Sequence, residues 1–276
     1  MKEDEDVLKA VISVIKKEPK LVIFPIISIM LTILVLFTFL IPSSYLQGLS
    51  TIEFIKTLDI ETFESALPII LLFIYYLISY LIIIYFNSAL VACAYQLMNK
   101  KQVNIKHGFN VVHKNIGKIL LWSVVSATIG VVLKYMRDHS KSIVQLIFSA
   151  VADIAWSLLT YFVIPVMIIE NLDLIKSIRK SGSIFRKTWG ENFRARIILA
   201  AYLFVSLLPG LGLLIKGFMS ESAFFIILGV ILALIAIIVF SAIETILRTA
   251  LYVYGSTGRV PLGFKDSSLK NVFRKA

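Results

Sequence analysis

The chain has 276 residues, a mean hydropathy of +0.88 and 16% charged residues, against about 25% in an ordinary globular chain. That composition excludes a soluble globular domain and points to an integral membrane protein. The formal charge of +11 does not call for nucleic acid, because in a membrane protein basic residues first report which side each loop faces.

Residues 6–18 place Val7, Leu8, Val11, Val14 and Ile15 on one face, and Pro19 stops the helix. The opening MKEDEDVLKA carries acids where a secretory leader carries bases, so the first apolar run is expected to stay as a span. That run covers Leu21 to Ile41 and leads to an acidic loop with Glu53, Asp59, Glu61 and Glu64. The second run, Ala66 to Met98, contains Asn87, a small-residue patch of Ser88, Ala89 and Ala92, and Cys93, the only cysteine. Small residues let helices approach closely, and a single cysteine makes no intrachain disulfide.

A second basic amphipathic segment, residues 103–115, precedes the third run, Gly117 to Tyr135. The fourth run, Ile143 to Ile169, holds Asp153, Thr160 and Pro165. Asp153 has no partner at helical spacing and reads as an isolated intramembrane acid. Next comes the most basic stretch, residues 172–189. Leu174, Ile175, Ile178, Phe185 and Trp189 share one arc, opposite Arg179, Lys180, Ser183, Arg186 and Lys187. Such a helix is expected to lie flat at the headgroups, apolar face down, with Gly182 as a bend and Gly190 as a left-handed cap. Its bases, Arg179, Lys180, Arg186 and Lys187, are the candidate headgroup-binding residues, each gaining about 1 kcal/mol near an anionic leaflet. The fifth run, Ile197 to Ile215, is interrupted by Pro209, and the sixth, Ala223 to Tyr254, carries Glu244 and Arg248 four apart.

A helix needs about 20 apolar residues to cross ~30 Å of hydrocarbon, and all six runs satisfy this on every face, unlike the alternating strands of a barrel. The fold expected is all-α: a polytopic bundle of six spans with basic amphipathic helices on the cytoplasmic side, one domain over residues 1–276. The loops on the side of the termini, with the termini themselves, hold 22 of the 28 Lys and Arg and the opposite side five. The positive-inside rule then sets both termini in the cytoplasm of a cell-membrane protein.

Sliding the chain by 73 positions aligns IKHGFNVVHKNIG, from Ile105, with IRKSGSIFRKTWG, from Ile178. LKAVISVIKKEP, from Leu8, and the tail SLKNVFRKA follow the same pattern. The chain therefore reads as repeated units of basic helix, outgoing span and returning span, an organisation shared by transporters and by proteins that transport nothing.

Ionisable residues inside spans cost about 2.5 to 3.5 kcal/mol at the bilayer centre and point to function first. Counted from the cytoplasmic end, Glu244 lies ~15 Å deep, level with Asn87 and Thr160. An intramembrane cluster of Asn87, Thr160, Glu244 and Arg248 is expected where spans two, four and six meet. It is either a site for an ion or headgroup or a set of interhelical hydrogen bonds worth ~0.6 kcal/mol each. No HExxH, GxSxG or Walker loop occurs, and His107, His113 and His139 lack ligand spacing. No enzyme activity, metal or cofactor is expected.

The run YFVIPVMIIENLDLIKSIRKSGSIFRKTWGENF, together with FNSALVACA, resembles a family of prokaryotic six-span membrane proteins catalogued as a domain of unknown function. More distantly, LIKSIRKSGSIF is similar to the membrane domain of some glycerophosphodiester phosphodiesterases, whose hydrolase domain has no counterpart in the 22 residues after Tyr254. The resemblance implies a fold and a location and no activity. Three functions are weighed: a non-enzymatic scaffold binding anionic lipid, a protein partner or a second copy; a small-solute or ion transporter; and an accessory of lipid metabolism.

Overall fold

The computed structural model describes residues 2–46, 66–140, 142–187, 189–261 and 264; the side chains of 2–8, 40–46, 66–69, 187 and 189–199 are outside the description. The acidic loop with Glu53, Asp59, Glu61 and Glu64 and the tail SLKNVFRKA lie outside the described residues. Among the described residues ten α-helices follow one another. They are α1 (Lys2–Lys17), α2 (Ile23–Leu46), α3 (Ala66–Met98), α4 (Ile105–Lys114), α5 (Ile116–Asp138), α6 (Ile143–Leu159), α7 (Val163–Ile169), α8 (Leu174–Lys187), α9 (Trp189–Met219) and α10 (Ala223–Thr257). A 3₁₀ turn, Pro19–Val22, joins α1 to α2 where proline denies the helix a donor.

Among the described residues, six helical stretches are long and apolar enough to cross a membrane: Pro19–Phe39, Ile70–Met98, Ile116–Asp138, Ile143–Ile169, Ala200–Met219 and Ala223–Thr257. The fold is a polytopic bundle of six such helices, and no strand occurs among the described residues.

The fourth span is broken between α6 and α7. Pro165 has no N–H to give to the carbonyl four residues back and its ring crowds that carbonyl, so the helix reopens over residues 160–162. Pro209, in contrast, lies inside α9 and does not end it.

Packing is uneven along the bundle. α3 has 33 residues and α10 has 35, about 50 Å each at 1.5 Å per residue, against ~30 Å of hydrocarbon. The surplus lies at the end that carries the basic helices. There Ala89 to Ala94 of α3, Val163 to Ile168 of α7 and Ile246, Ala250 and Leu251 of α10 are all buried. Towards the other end, Phe148, Val151, Phe204, Phe224 and Ile235 are exposed, as lipid-facing residues are. The chain thus builds a protein-covered core at its basic end, and in the opposite half its helices are more exposed and packed in pairs.

The basic helices complete that core. Val11 and Val14 of α1, Val112 of α4, and Leu174, Ile184 and Phe185 of α8 are buried against the bundle. α4 folds back along α3, and α8 folds back along α7. The two fold-backs share a register. A Cβ on Gly108 would meet the Ala89 carbonyl at 3.0 Å and Cys93 Sγ at 2.6 Å, and the Ser181 hydroxyl meets the Phe162 N–H. Gly108 and Ser181 are 73 residues apart, as are Ala89 and Phe162. The repeat visible in sequence is therefore also a repeat of contacts. Each returning helix ends in a left-handed residue two positions on, Lys100 (φ 61) and Asn171 (φ 56), which turns the chain back.

α9 and α10 form an antiparallel hairpin brought close by Gly210, Gly217 and Gly229; a Cβ on Gly229 would meet the Gly210 carbonyl at 2.8 Å.

Candidate functional site

Glu244, Arg248 and Tyr252 recur every four residues on α10 and form one polar stripe. It faces the broken fourth span. The Glu244 carboxylate accepts from the Arg248 guanidinium at 2.5 Å, and the guanidinium carbon lies 4.7 Å from the centre of the Tyr161 ring, in the break itself. Cation–π stacking of this kind favours arginine, whose flat group covers a ring. On the neighbouring face, the Thr245 hydroxyl meets Asn87 Oδ1 of α3 at 3.5 Å.

One turn further on, the Tyr252 hydroxyl donates to Glu170, the residue after α7, and the other carboxylate oxygen of Glu170 accepts from Lys180 of α8 at 2.5 Å. Glu170 thus joins the fourth span, α8 and α10. Beside it, Lys118 at the start of α5 donates to the Asn171 carbonyl at 2.8 Å and to its side-chain oxygen at 2.6 Å.

The break in the fourth span is closed by a single side chain. Ser181 donates to the Leu159 carbonyl at 2.7 Å and accepts from the Phe162 N–H at 3.0 Å, two groups that the helix interruption would leave without partners in a medium without water. Ser177 and Ser181 are fully buried, and a Cβ on Gly182 would lie 2.7 Å from Leu159 Cδ1. α8 approaches on its small residues.

Several expectations are corrected by this geometry. α8 does not lie apolar face down in lipid, since Leu174, Ser177, Ser181, Ile184 and Phe185 face protein while Ile175 is 66% exposed. Gly182 serves close approach, and Gly190 falls inside α9 rather than at a cap. Among the headgroup candidates, Arg179 and Arg186 are exposed, Lys180 is held by Glu170, and the side chain of Lys187 is outside those described. Asp153 is not isolated: Arg137, in the last turn of α5, approaches it to 3.3 Å from the neighbouring helix, a partner that spacing within one span does not reveal.

The predicted cluster is brought together in part. Glu244 and Arg248 pair, Asn87 meets Thr245 beside them, and Thr160 directs its hydroxyl to the Trp156 carbonyl at 2.8 Å, leaving its neighbour Tyr161 to meet Arg248. Counted from Ala223, Glu244 is ~31 Å along α10, in the half of the helix nearer the basic helices.

Glu170, Tyr252, Tyr161, Lys118 and Ser181 were not singled out from sequence. Tyr252 was accessible to it, eight residues after Glu244 on the same face. The others contribute through tertiary contact. Among the described residues no group of three or more His, Cys, Asp or Glu could hold a metal ion.

A family model described as a family of unknown function (DUF6159) matches residues 66–263, from the first residue of α3 through the end of α10 and so across both fold-backs. No curated protein and no solved structure matches the chain. The comparisons lend no support to a likeness to glycerophosphodiester phosphodiesterases.

Proposed function

The chain belongs to that family of unknown function, which carries no activity over to it, and from this premise we propose a non-enzymatic cell-membrane component that gathers anionic lipid at its cytoplasmic face. The observation that carries the reading is the docking of α8. Its buried face is occupied by protein, with Ser181 and Lys180 bonded to the fourth span and to Glu170. What remains outward is Ile175, Lys176, Arg179 and Arg186. Cations positioned there each gain about 1 kcal/mol near an anionic leaflet, and Ile175 reaches the acyl boundary beside them.

The test uses protein in detergent titrated with phosphatidylglycerol or phosphatidylcholine, with bound lipids counted by native mass spectrometry. Wild type should hold more phosphatidylglycerol, and Arg179→Glu with Arg186→Glu should remove the excess while the thermal melt is unchanged. Equal retention of the two lipids by wild type would overturn the proposal.

A second reading, a small-solute or ion transporter, is favoured by one observation, a charged pair beside a broken span. It requires water to reach that region from outside. A cysteine at Asn87 or Thr160 in a Cys93→Ala background should then react with a membrane-impermeant thiol reagent. Silence at both positions would exclude it.

A further inference from the structure

The fourth span is anchored at one end and sparsely packed at the other. In α7 every residue from Val163 to Ile168 is buried, whereas in α6, more than twice as long, Ser149 and Leu158 alone are buried. Exposure grows with distance from the break, from 42% at Leu159 through 56% at Val151 to 77% at Ile143. Between the two helices the ladder of hydrogen bonds is interrupted over residues 160–162. A sparsely packed helix joined to a buried one through such a gap is where chains open locally and hinge. The repeat does not demand the gap. α3, the counterpart 73 residues earlier, has Ala92 in the place of Pro165 and runs unbroken from Ala66 to Met98.

The seam between α6 and α5 can part without orphaning a polar group. On α5, Trp122, Ser126 and Arg137 share one face, and on α6 Ser149, Asp153 and Trp156 share another. The two indoles meet with ring centroids 5.8 Å apart, near the break. Farther out, Arg137 Nη2 reaches Asp153 Oδ2 at 3.3 Å, while Asp138 beside it is taken by Lys134 at 2.8 Å. The α6 hydroxyls stay within their own helix, Ser149 donating to the Leu146 carbonyl at 2.9 Å and Thr160 to the Trp156 carbonyl at 2.8 Å. Separation therefore leaves both with their partners, and no desolvation penalty for a lost hydrogen bond follows at either. At the break itself Ser181, on a helix docked against α7, bonds the Leu159 carbonyl and the Phe162 N–H, so both edges stay satisfied as the axis turns between them.

We propose that α6 is an arm hinged at residues 160–162 and latched to α5 by Arg137 and Asp153, and that its swing opens the bundle sideways in the half opposite the basic helices. The latch lies apart from the outward face of α8, and the arm moves whether or not lipid is held there.

Spin labels on cysteine pairs in the full chain, in a Cys93→Ala background, read the swing by double electron–electron resonance. Val132 of α5 and Ile147 of α6, 47% and 57% exposed, report on the outer half; Leu121 and Ala155, also exposed, report near the pivot. At 1.5 Å per residue Ile147 stands ~20 Å from Thr160 and Ala155 ~8 Å, so a turn of about 10° moves them about 3 Å and about 1 Å. Asp153→Asn should lengthen the Val132–Ile147 distance by about 3 Å or more and the Leu121–Ala155 distance by about a third as much. Arg137→Gln should do the same, and Arg137→Asp with Asp153→Arg should return both distances to wild type. Distances unchanged in Asp153→Asn, or equal lengthening of the two pairs, in which α6 leaves as a whole, would overturn the hinge.

Discussion

Ser181 and Phe162 are joined across 19 residues of chain by a hydrogen bond of 3.0 Å from the Phe162 N–H to the serine hydroxyl. The same hydroxyl donates to the Leu159 carbonyl, so one side chain satisfies both edges of the break in the fourth span. Ser181→Ala should therefore leave two buried backbone groups without partners and destabilise the protein by about 1 to 3 kcal/mol for each unsatisfied group that finds no substitute. Ser177, whose hydroxyl makes one long contact of 3.4 Å to the Leu172 carbonyl, is the control. Ser177→Ala should melt close to wild type in detergent, well above Ser181→Ala.

The equivalent position in the preceding unit gives a second prediction. Gly108→Ala drives a methyl group towards the Ala89 carbonyl at 3.0 Å and Cys93 Sγ at 2.6 Å. Backbone cannot yield as a side chain can, and overpacking of this kind costs about 1 to 3 kcal/mol. Cys93→Ala removes the nearer obstacle, so the double variant should recover part of the loss. Gly182→Ala meets only the end of a leucine side chain and should cost less than Gly108→Ala in the same melt series.

Much of the architecture was legible before any coordinates. Length and uniform apolarity marked the six crossing helices, and the 73-residue offset marked the two fold-backs. What escaped was the face on which α8 packs. A wheel weighted by hydrophobicity selects Ile175 and passes over Ser177 and Ser181, whereas close approach of helices rewards small residues. Nothing in the run from Ala223 to Tyr254 marks where the exposed stretch stops and the protein core begins, because both surroundings select apolar residues. The charged partners of Asp153 and Lys180, Arg137 and Glu170, lie outside helical spacing and needed the fold.

Topology is tested by reporters fused after Ala276 and within residues 50–60. With 22 of 28 basic residues on the side of the termini, the two fusions should report opposite sides, the first cytoplasmic. The same side for both would contradict six crossings.

Glu170 serves two partners, which ranks three substitutions. Tyr252→Phe removes a hydrogen bond to a carboxylate from a tyrosine that is buried, worth about 1.5 to 3 kcal/mol for a charged acceptor. Lys180→Met breaks a pair whose lysine is 42% exposed, so solvent screening limits its cost to about 1 kcal/mol or less. Glu170→Gln weakens both contacts and should melt lowest of the three. Equal melts for Glu170→Gln and Tyr252→Phe would mean that the lysine pair contributes nothing to stability.

The Glu244–Arg248 pair calls for a cycle of variants, because removing one partner takes from the other the charge it pairs with, while removing both removes the pair whole. Glu244→Gln and Arg248→Gln should each destabilise the protein, and the double variant should lose less than their sum by about 1 to 3 kcal/mol, the coupling of contacting neighbours. The two single losses should also differ. Arg248 stacks on Tyr161 as well as pairing with Glu244, so the loss in Arg248→Gln includes the ring contact in addition to the pair. Arg248→Lys separates these contributions, since it keeps the cation beside Glu244 and replaces the flat group over the ring by a compact ammonium. Its melt should fall between wild type and Arg248→Gln. An Arg248→Lys melt equal to wild type would assign the whole effect to the ion pair and leave the contact with the broken span without energetic weight.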